Sequence, residues 1–345
     1  MEGIVVKIEY HSDLKELQSD AQLARLLSAE CQSAPFDRLA WWEALGKHCA
    51  IAPLLAVARE GDAVAVLPLT GDGGHLSALA NWYTFRFRPV VSHPPQAEVL
   101  LAQLARDLAA KARRLTLAGL PEEDGTASRI ESAFRRAGWL VMREASDTNH
   151  VLEISGRSFD DYIAGRPGKL RTTLKRKTRK VAVEIITRFD AQAWEQYEAI
   201  YAESWKPEEG SPNFLRAFAK SEGEAGRLRL GIARAADDPQ GPAIAAQMWT
   251  VEGGTAFIHK LAHRESARPL SPGSILSAAL LRHVIEVDRV ALVDFGTGDD
   301  PYKRDWMEQV RPRYRLDMFR PLDPHNWLIV ARIGLRRLAA SAKGG

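Results

Sequence analysis

The stretch that decides the fold is residues 267–306, ARPLSPGSILSAALLRHVIEVDRVALVDFGTGDDPYKRDW. A loop carrying Ser271, Pro272 and Gly273 leads into an apolar helix expected over residues 275–287. A β-branched strand is expected at 290–293 and ends in Asp294, Phe295 and Gly296, ahead of a polar turn with Tyr302, Lys303 and Trp306. A helix that opens at a Pro-Gly turn leaves its first main-chain N–H groups without intrahelical partners, and such groups attract a phosphate. Taken alone, Ser-Pro-Gly is also an ordinary helix start with proline in the first turn. The residues downstream give it weight.

Outward from this stretch, the second half is expected to carry helices at 191–205 and 214–220 and strands at 228–233, 243–251 and 255–261. A short helix near 303–309 and a strand at 314–319 close it. The first half shows helical periodicity at 37–47, 97–112 and 127–137, and strand patterns at 54–58, 63–67, 83–91, 115–118, 140–143 and 150–154. RPVVSHPPQAEVLLAQLARDLAAKARRLTLAGL, from Arg88, echoes the layout of the segment from Arg268, with Arg88-Pro89 matching Arg268-Pro269. Such echoes also arise among α/β proteins generally. The reading taken is a duplicated α/β unit, residues 1–157 and 158–323, followed by a basic amphipathic helix at 324–345. In the first copy Ser92, His93, Pro94 and Pro95 stand before the helix. Proline has no N–H to donate, so this copy is expected to hold phosphate poorly and to be degenerate.

The order of parts around residue 273 resembles the acyl-CoA N-acyltransferases of the GNAT superfamily, and more narrowly the CelD/BcsL branch related to FemAB-type transferases. In that branch an S-P-G helix start is followed by D-F-x-x-G-x-x-x-Y-K-x-x-W, which this chain matches from Asp294 to Trp306. The resemblance implies tandem GNAT-like domains, an α/β fold on mixed sheets, and acyl-CoA as co-substrate with no tightly bound cofactor. It implies that the pyrophosphate of coenzyme A meets the N–H groups of Gly273, Ser274 and Ile275 beside Pro272, with Ser271 and Ser274 adding their hydroxyls. The basic run RPGKLRTTLKRKTRK from Arg166 also resembles the branch's K-x-R-x-x-x-K-x-x-x-K element, here Lys169, Arg171, Lys175 and Arg179. PFDRLAWWEAL resembles the branch's F-x-x-P-x-W start, with Leu39 in place of the proline and Trp41 and Trp42 read as core.

Candidate site residues follow. His259 lies on the strand before the phosphate loop, on one face with Phe257 and Leu261 by strand alternation. An imidazole titrates near neutrality, which suits a general base; a satisfied core histidine is the plainer reading. Asp294, at a strand end, is placed to orient an amine or act as base, or else to cap the next turn. Tyr302 and Lys303 open the following helix, where Lys303 is expected near the acyl-CoA. Arg171 and Arg176 on the basic run are expected to meet an anion: CoA phosphate, an acidic acyl carrier protein, or lipid. Like charges spaced i,i+4 repel along a helix, so an anionic partner is plausible there. Gln247, Trp205 and Lys206 are candidate substrate contacts.

With 345 residues, 46% of them hydrophobic and 26% charged, the chain has length and apolar content for about two domains. A formal net charge of +3 and a basic run without aromatics give no nucleic-acid signature. Cys31 and Cys49, the only cysteines, do not make a disulfide scaffold, and no zinc set joins them. Neither a signal peptide nor a membrane-spanning run is read, so a cytoplasmic protein is expected, with peripheral contact to an anionic inner membrane open through the tail. There is no G-x-S-x-G elbow or P-loop. The activity expected is direct transfer of an acyl group from a thioester to an amine. The favoured acceptor is a long-chain sphingoid base giving a ceramide-like product. An amino sugar of exopolysaccharide or cellulose synthesis, transfer from aminoacyl-tRNA as in FemAB proteins, and a non-catalytic accessory role stand as alternatives.

Overall fold

The computed structural model describes residues 6–332, apart from 73 and 205. The chain divides into two compact units, residues 1–32, 36–148 and 311–345 in the first, and 33–35 with 149–310 in the second.

The first unit opens with strand β1 (Lys7–His11) and helices α1 (Lys15–Ser19), α2 (Ala21–Leu26) and α3 (Leu39–Cys49). Strands β2 (Leu54–Glu60), β3 (Ala63–Asp72), β4 (His75–Ala78) and β5 (Val90–Val91) lead to helix α4 (Pro94–Leu108). Strand β6 (Arg114–Leu120), helix α5 (Thr126–Arg136) and strand β7 (Leu140–Glu153) complete the run into the second unit. β1 to β4 are antiparallel in sequence order, and α4 carries the chain from β4 to the parallel β6. The core lies between this sheet and the apolar faces of α4 and α5, where Leu100, Leu104, Leu108, Ile130 and Phe134 are fully buried.

In the second unit helices α6 (Phe159–Ala164) and α7 (Gly168–Lys177) precede strand β8 (Val181–Ile186) and helices α8 (Ala191–Ala202) and α9 (Pro212–Glu224). Strands β9 (Leu228–Ala235), β10 (Ala245–Glu252) and β11 (Thr255–His263) follow, then helix α10 (Pro272–Glu286), strand β12 (Leu292–Thr297) and helix α11 (Pro301–Trp306). The strand order is β7-β12-β11-β10-β9-β8, antiparallel except for the parallel pair β11 and β12. α6 starts on a capping box between Ser158 and Asp161, and α8 on the Asp190 carboxylate, which accepts from the Ala193 N–H at 2.7 Å. α10 packs its Ile275, Leu276, Leu280 and Val284 stripe on the sheet. It comes so close at Gly231 that a Cβ there would stand 2.8 Å from Leu276 and 2.9 Å from Leu280.

Several sequence expectations are corrected. The strand over 83–91 is strand only at β5, because Arg86 and Arg88 tie this segment to the buried Asp37 carboxylate at 2.8 and 2.9 Å. Strands expected at 140–143 and 150–154 are one continuous β7. The proposed division at 157/158 and 323/324 differs from the packing: the chain passes between units at 148/149. The last strand, β13 (Gln309–Phe319), returns to the first unit, where Leu316 and Met318 pair with Leu117 and Leu115. Long-range pairing of this kind leaves no mark on local periodicity. Of the expected C-terminal helix, residues 327–332 are helical, with Trp327 and Leu328 exposed; residues 333–345 lie outside the described residues.

Candidate active site

Strands β11 and β12 run side by side only from Thr255 opposite Leu292 to Phe257 opposite Asp294. Beyond that point they part, and the loop after β11 leads to the start of α10. Ser271, ahead of α10, has left-handed backbone (φ 54°) and makes no side-chain cap. Pro272 has no N–H to offer, and Ile275 donates to the Ser271 carbonyl at 3.2 Å. The expectation that Ile275 donates to a phosphate is thereby corrected, since the first helical turn already uses it. Among the described residues, the Gly273 and Ser274 amides meet no acceptor. Two main-chain donors at the positive end of a 15-residue helix remain for an anion.

Gln247 holds this helix start to the sheet. Its amide nitrogen donates to the Gly273 carbonyl at 3.0 Å and the Ser277 hydroxyl at 2.8 Å, and its oxygen accepts from Trp249 at 2.9 Å. The side chain is 1% exposed, so the structure gives Gln247 the part of a brace for the loop, where the sequence suggested a substrate contact.

The basic run folds into α7 because Leu170 and Leu174, one turn apart, bury a stripe on the core. Arg171 and Arg176 are exposed, away from that stripe. The cation that meets the loop ahead of α10 is Lys177, whose Nζ donates to the Ser271 Oγ at 2.8 Å. Lys177 was overlooked in the sequence although it shares the i, i+4, i+7 phase of Leu170 and Leu174, which was the available signal.

His259 sits in a bulge of β11. Met248 pairs with Lys260 and Trp249 with Ile258, so His259 has no register partner on β10, and pairing with β12 stops two residues earlier. The bulge interrupts the alternation the sequence suggested. The imidazole Nε2 lies 2.8 Å from the Thr250 hydroxyl, and its ring packs edge-on against Phe218, 5.1 Å between centroids.

Asp294 is 6% exposed, and its Oδ1 accepts from Asn149 at 3.1 Å and from the Gly296 N–H at 2.8 Å. The carboxylate caps the turn where β12 bends, the plainer of its two readings. Lys303, 5% exposed, donates to the carbonyls of Gly296, Thr297 and Gly298. Its ammonium thus closes the turn after β12, whereas the sequence suggested a place near the acyl-CoA. The Tyr302 ring packs edge-on against Phe295 at 5.7 Å and is 37% exposed. Next to this turn, His150 lies 3.2 Å from Asp299, and its imidazole pKa is pushed down by burial and then by Lys303. Neither Asn149 nor His150 was singled out in the sequence, since only the β7–β12 pairing brings them here.

A second cluster surrounds Lys206. Lys260 donates to Glu209 at 2.9 Å with both side chains nearly buried, and lies 5.4 Å from the Tyr201 ring centroid. Burial, then the Glu209 charge, pushes the Tyr201 phenol up to about 12. Burial, then the Lys260 charge, pushes Lys206 down to about 8. A cavity of about 590 Å³ opens here, walled by Trp194, Tyr197, Tyr201 and Leu215, with Glu198, Glu208 and Glu209 among its polar groups. Trp205 lies outside the described residues. Among the described residues no group of His, Cys, Asp and Glu is arranged to hold a metal ion, and no helix is long and apolar enough to cross a membrane.

Residues 168–304 match the family model for an acetyltransferase (GNAT) domain. No curated protein matches the sequence. Among solved structures the chain is similar to FemX, with 12% identity over 94% of this chain and 99% of that one, at a TM-score of 0.63. It is also similar to the C-terminal domain of a putative lysylphosphatidylglycerol synthetase from Agrobacterium fabrum (13% identity, 88% and 92% covered, TM-score 0.55). A tandem GNAT protein of the clavulanic acid biosynthesis pathway matches at 16% identity, 90% and 98% covered and TM-score 0.53. At these identities the likeness is one of fold. The domain match, the helix start with two open amides and the parting strands beside it agree: residues 168–304, in the second unit, carry an acetyltransferase (GNAT) domain, and the chain as a whole shares its fold with FemX and the tandem GNAT protein.

Proposed function

We propose that the chain moves an acyl group from a coenzyme A thioester to the primary amine of a lipid or envelope precursor, with a long-chain sphingoid base as acceptor and a ceramide-like amide as product. The observation that carries the reading is the start of α10, where the Gly273 and Ser274 amides stand open and Lys177 adds a cation beside Ser271. The pyrophosphate of coenzyme A is the anion those groups suit, and its thioester arm would run between the parted ends of β11 and β12. His259, at the bulge in that opening, is placed to take the proton the amine sheds as it attacks the carbonyl. The C–S bond then breaks and the thiol leaves. Asp294 and Lys303 act on this site through the turn they hold together. The exposed Arg171 and Arg176 give an acidic acyl carrier protein or a lipid surface a place to approach.

The lipid acceptor is supported by the cavity beside Lys206, whose aromatic walls suit an alkyl chain and whose carboxylates suit the charged amine. One fold neighbour is named for making lysylphosphatidylglycerol, a lipid. The test is thiol release from acyl-CoAs of several lengths with a panel of amines, the product identified by mass spectrometry. N-acylated long-chain amino alcohol is the expected product. Thiol release with amino sugars alone would overturn the lipid assignment, and no release with any amine would overturn transfer from coenzyme A.

A further inference from the structure

The first unit lacks an amide cradle, yet it has a cavity of its own at the matching helix start. In each unit one helix carries the chain between two parallel strands: α4 between β4 and β6, α10 between β11 and β12. At the start of α4 the prolines remove two donors, and the Gln96 N–H is taken by the His93 carbonyl at 3.1 Å. At α5 nearby, Thr126 N–H is taken by Asp124 and Ser128 N–H by Glu122, each at 3.0 Å. The first turn of α5 thus spends its amides, and at the tip of α4 the two prolines and the engaged Gln96 leave no open donor.

Side-chain donors replace them. A cavity of about 1010 Å³ is lined by Arg25 of α2, Arg88 ahead of β5, His93 before α4 and Arg129 of α5. Arg88 is partly neutralised, 2.9 Å from Asp37 and 3.7 Å from Asp124. Among the described residues, Arg25 and Arg129 have no carboxylate within ion-pair distance; the Arg129 guanidinium donates only to the Asp124 carbonyl at 3.3 Å. The His93 imidazole lies 2.9 Å from the Ser92 hydroxyl, with its other nitrogen left over for the cavity. Asp62 and Asp124 also line the space; Asp124 is engaged by Thr126 and Arg88, while Asp62 is a turn residue between β2 and β3. Two guanidiniums from separate helices, with no carboxylate partner among the described residues, line one cavity, and each carries the planar donor set that suits phosphate oxygens.

We infer that the first unit holds a second anion site, in which Arg25, Arg129 and Arg88 bind the phosphate or diphosphate group of a ligand distinct from the acyl donor. The duplicated fold has kept a phosphate site in both copies and changed its donors, amides in one and guanidiniums in the other. This site does not depend on the identity of the acyl acceptor. Its occupant is a soluble phosphorylated metabolite or an anionic lipid headgroup, which present the same chemistry.

The experiment is titration calorimetry on the full chain with inorganic pyrophosphate, in the wild type, in Arg25→Gln/Arg129→Gln and in Gly273→Pro. A parallel arm measures sedimentation with phosphatidylglycerol vesicles. Two pyrophosphate sites are expected in the wild type. The double arginine variant should weaken one by at least about ten-fold, as the loss of charge-assisted hydrogen bonds brings, and Gly273→Pro should leave that one intact. Loss of vesicle binding in the same double variant assigns the site to a headgroup; unchanged vesicle binding assigns it to a soluble phosphate. A single wild-type site that the arginine variant keeps and Gly273→Pro weakens, or two sites that the arginine variant leaves unchanged, overturns the inference; a single site lost in the arginine variant would instead count against the site at α10. Circular dichroism of the variant confirms that it is folded.

Discussion

The helices α10 and α4 stand at the same step of two copies of one fold, and they begin in opposite ways. α10 opens on Ser-Pro-Gly and keeps the Gly273 and Ser274 amides free, with Gln247 pinning the loop from the strand below. α4 opens on His-Pro-Pro with no free amide at its tip, and the charges around it are arginines on other elements. A main-chain cradle is fixed by the fold and barely screened, so it places a phosphate accurately against a reaction centre. Guanidiniums bring a formal charge and a planar donor set that suits phosphate, but they stand at the ends of long side chains that must be ordered to hold it. The difference teaches where chemistry is to be expected: in the second unit, where the open amides stand at the start of the helix that follows the parting of β11 and β12.

The sharpest way to break that contrast is His259→Ala. Losing a general base typically costs about 10²–10⁴ in rate, so turnover should fall by at least the lower figure while coenzyme A binding, read by calorimetry, stays as it was. Near-normal turnover would remove the histidine from the chemistry. Gly273→Pro comes next: it deletes one of two open amides at a position where the helix tolerates proline, and coenzyme A should bind about ten-fold more weakly, the size of one charge-assisted hydrogen bond. Unchanged affinity in the folded variant would place the pyrophosphate elsewhere.

Lys177→Met should have a smaller effect, a few-fold loss in coenzyme A affinity together with a weaker dependence on salt, because a partly exposed cation is screened within about 8–10 Å at physiological ionic strength. A salt dependence identical to that of the wild type would contradict its role. The smallest effect concerns Lys206. Burial lowers its pKa from 10.5 to about 8, so between those values the unfolded chain binds a proton that the folded chain has released. Stability contributed by this group therefore rises with pH across that window. Lys206→Met should lack the rise, and the gap in melting temperature between the two proteins should change from pH 7.5 to pH 10. A gap that is constant with pH would show that the lysine is not buried as described.

Much of the second unit was readable from residue order alone. The run from Ser271 to Trp306 combines a helix start, an apolar stripe, a β-branched strand and a turn, all local patterns with their own periodicity. What it did not reveal is which polar atoms are spent inside the protein. Asp294 and Lys303 carry the residue types of a catalytic pair, yet both close the turn after β12. Gln247 looked like a substrate contact and is a buried brace.

By itself the sequence determined the two α/β halves, the helix start at Gly273 and the absence of amide donors at Pro94 and Pro95, because these depend on residues within a turn of one another. Tertiary structure alone decided that Lys177, and not Arg171, reaches Ser271, and that β13 belongs with the first unit. It also decided that His259 falls in a bulge and that Arg25 and Arg129 face one cavity. Each of these joins segments distant in the chain, and strand register and helix packing, which set such meetings, are fixed by the fit of whole faces and not by any local run of residues.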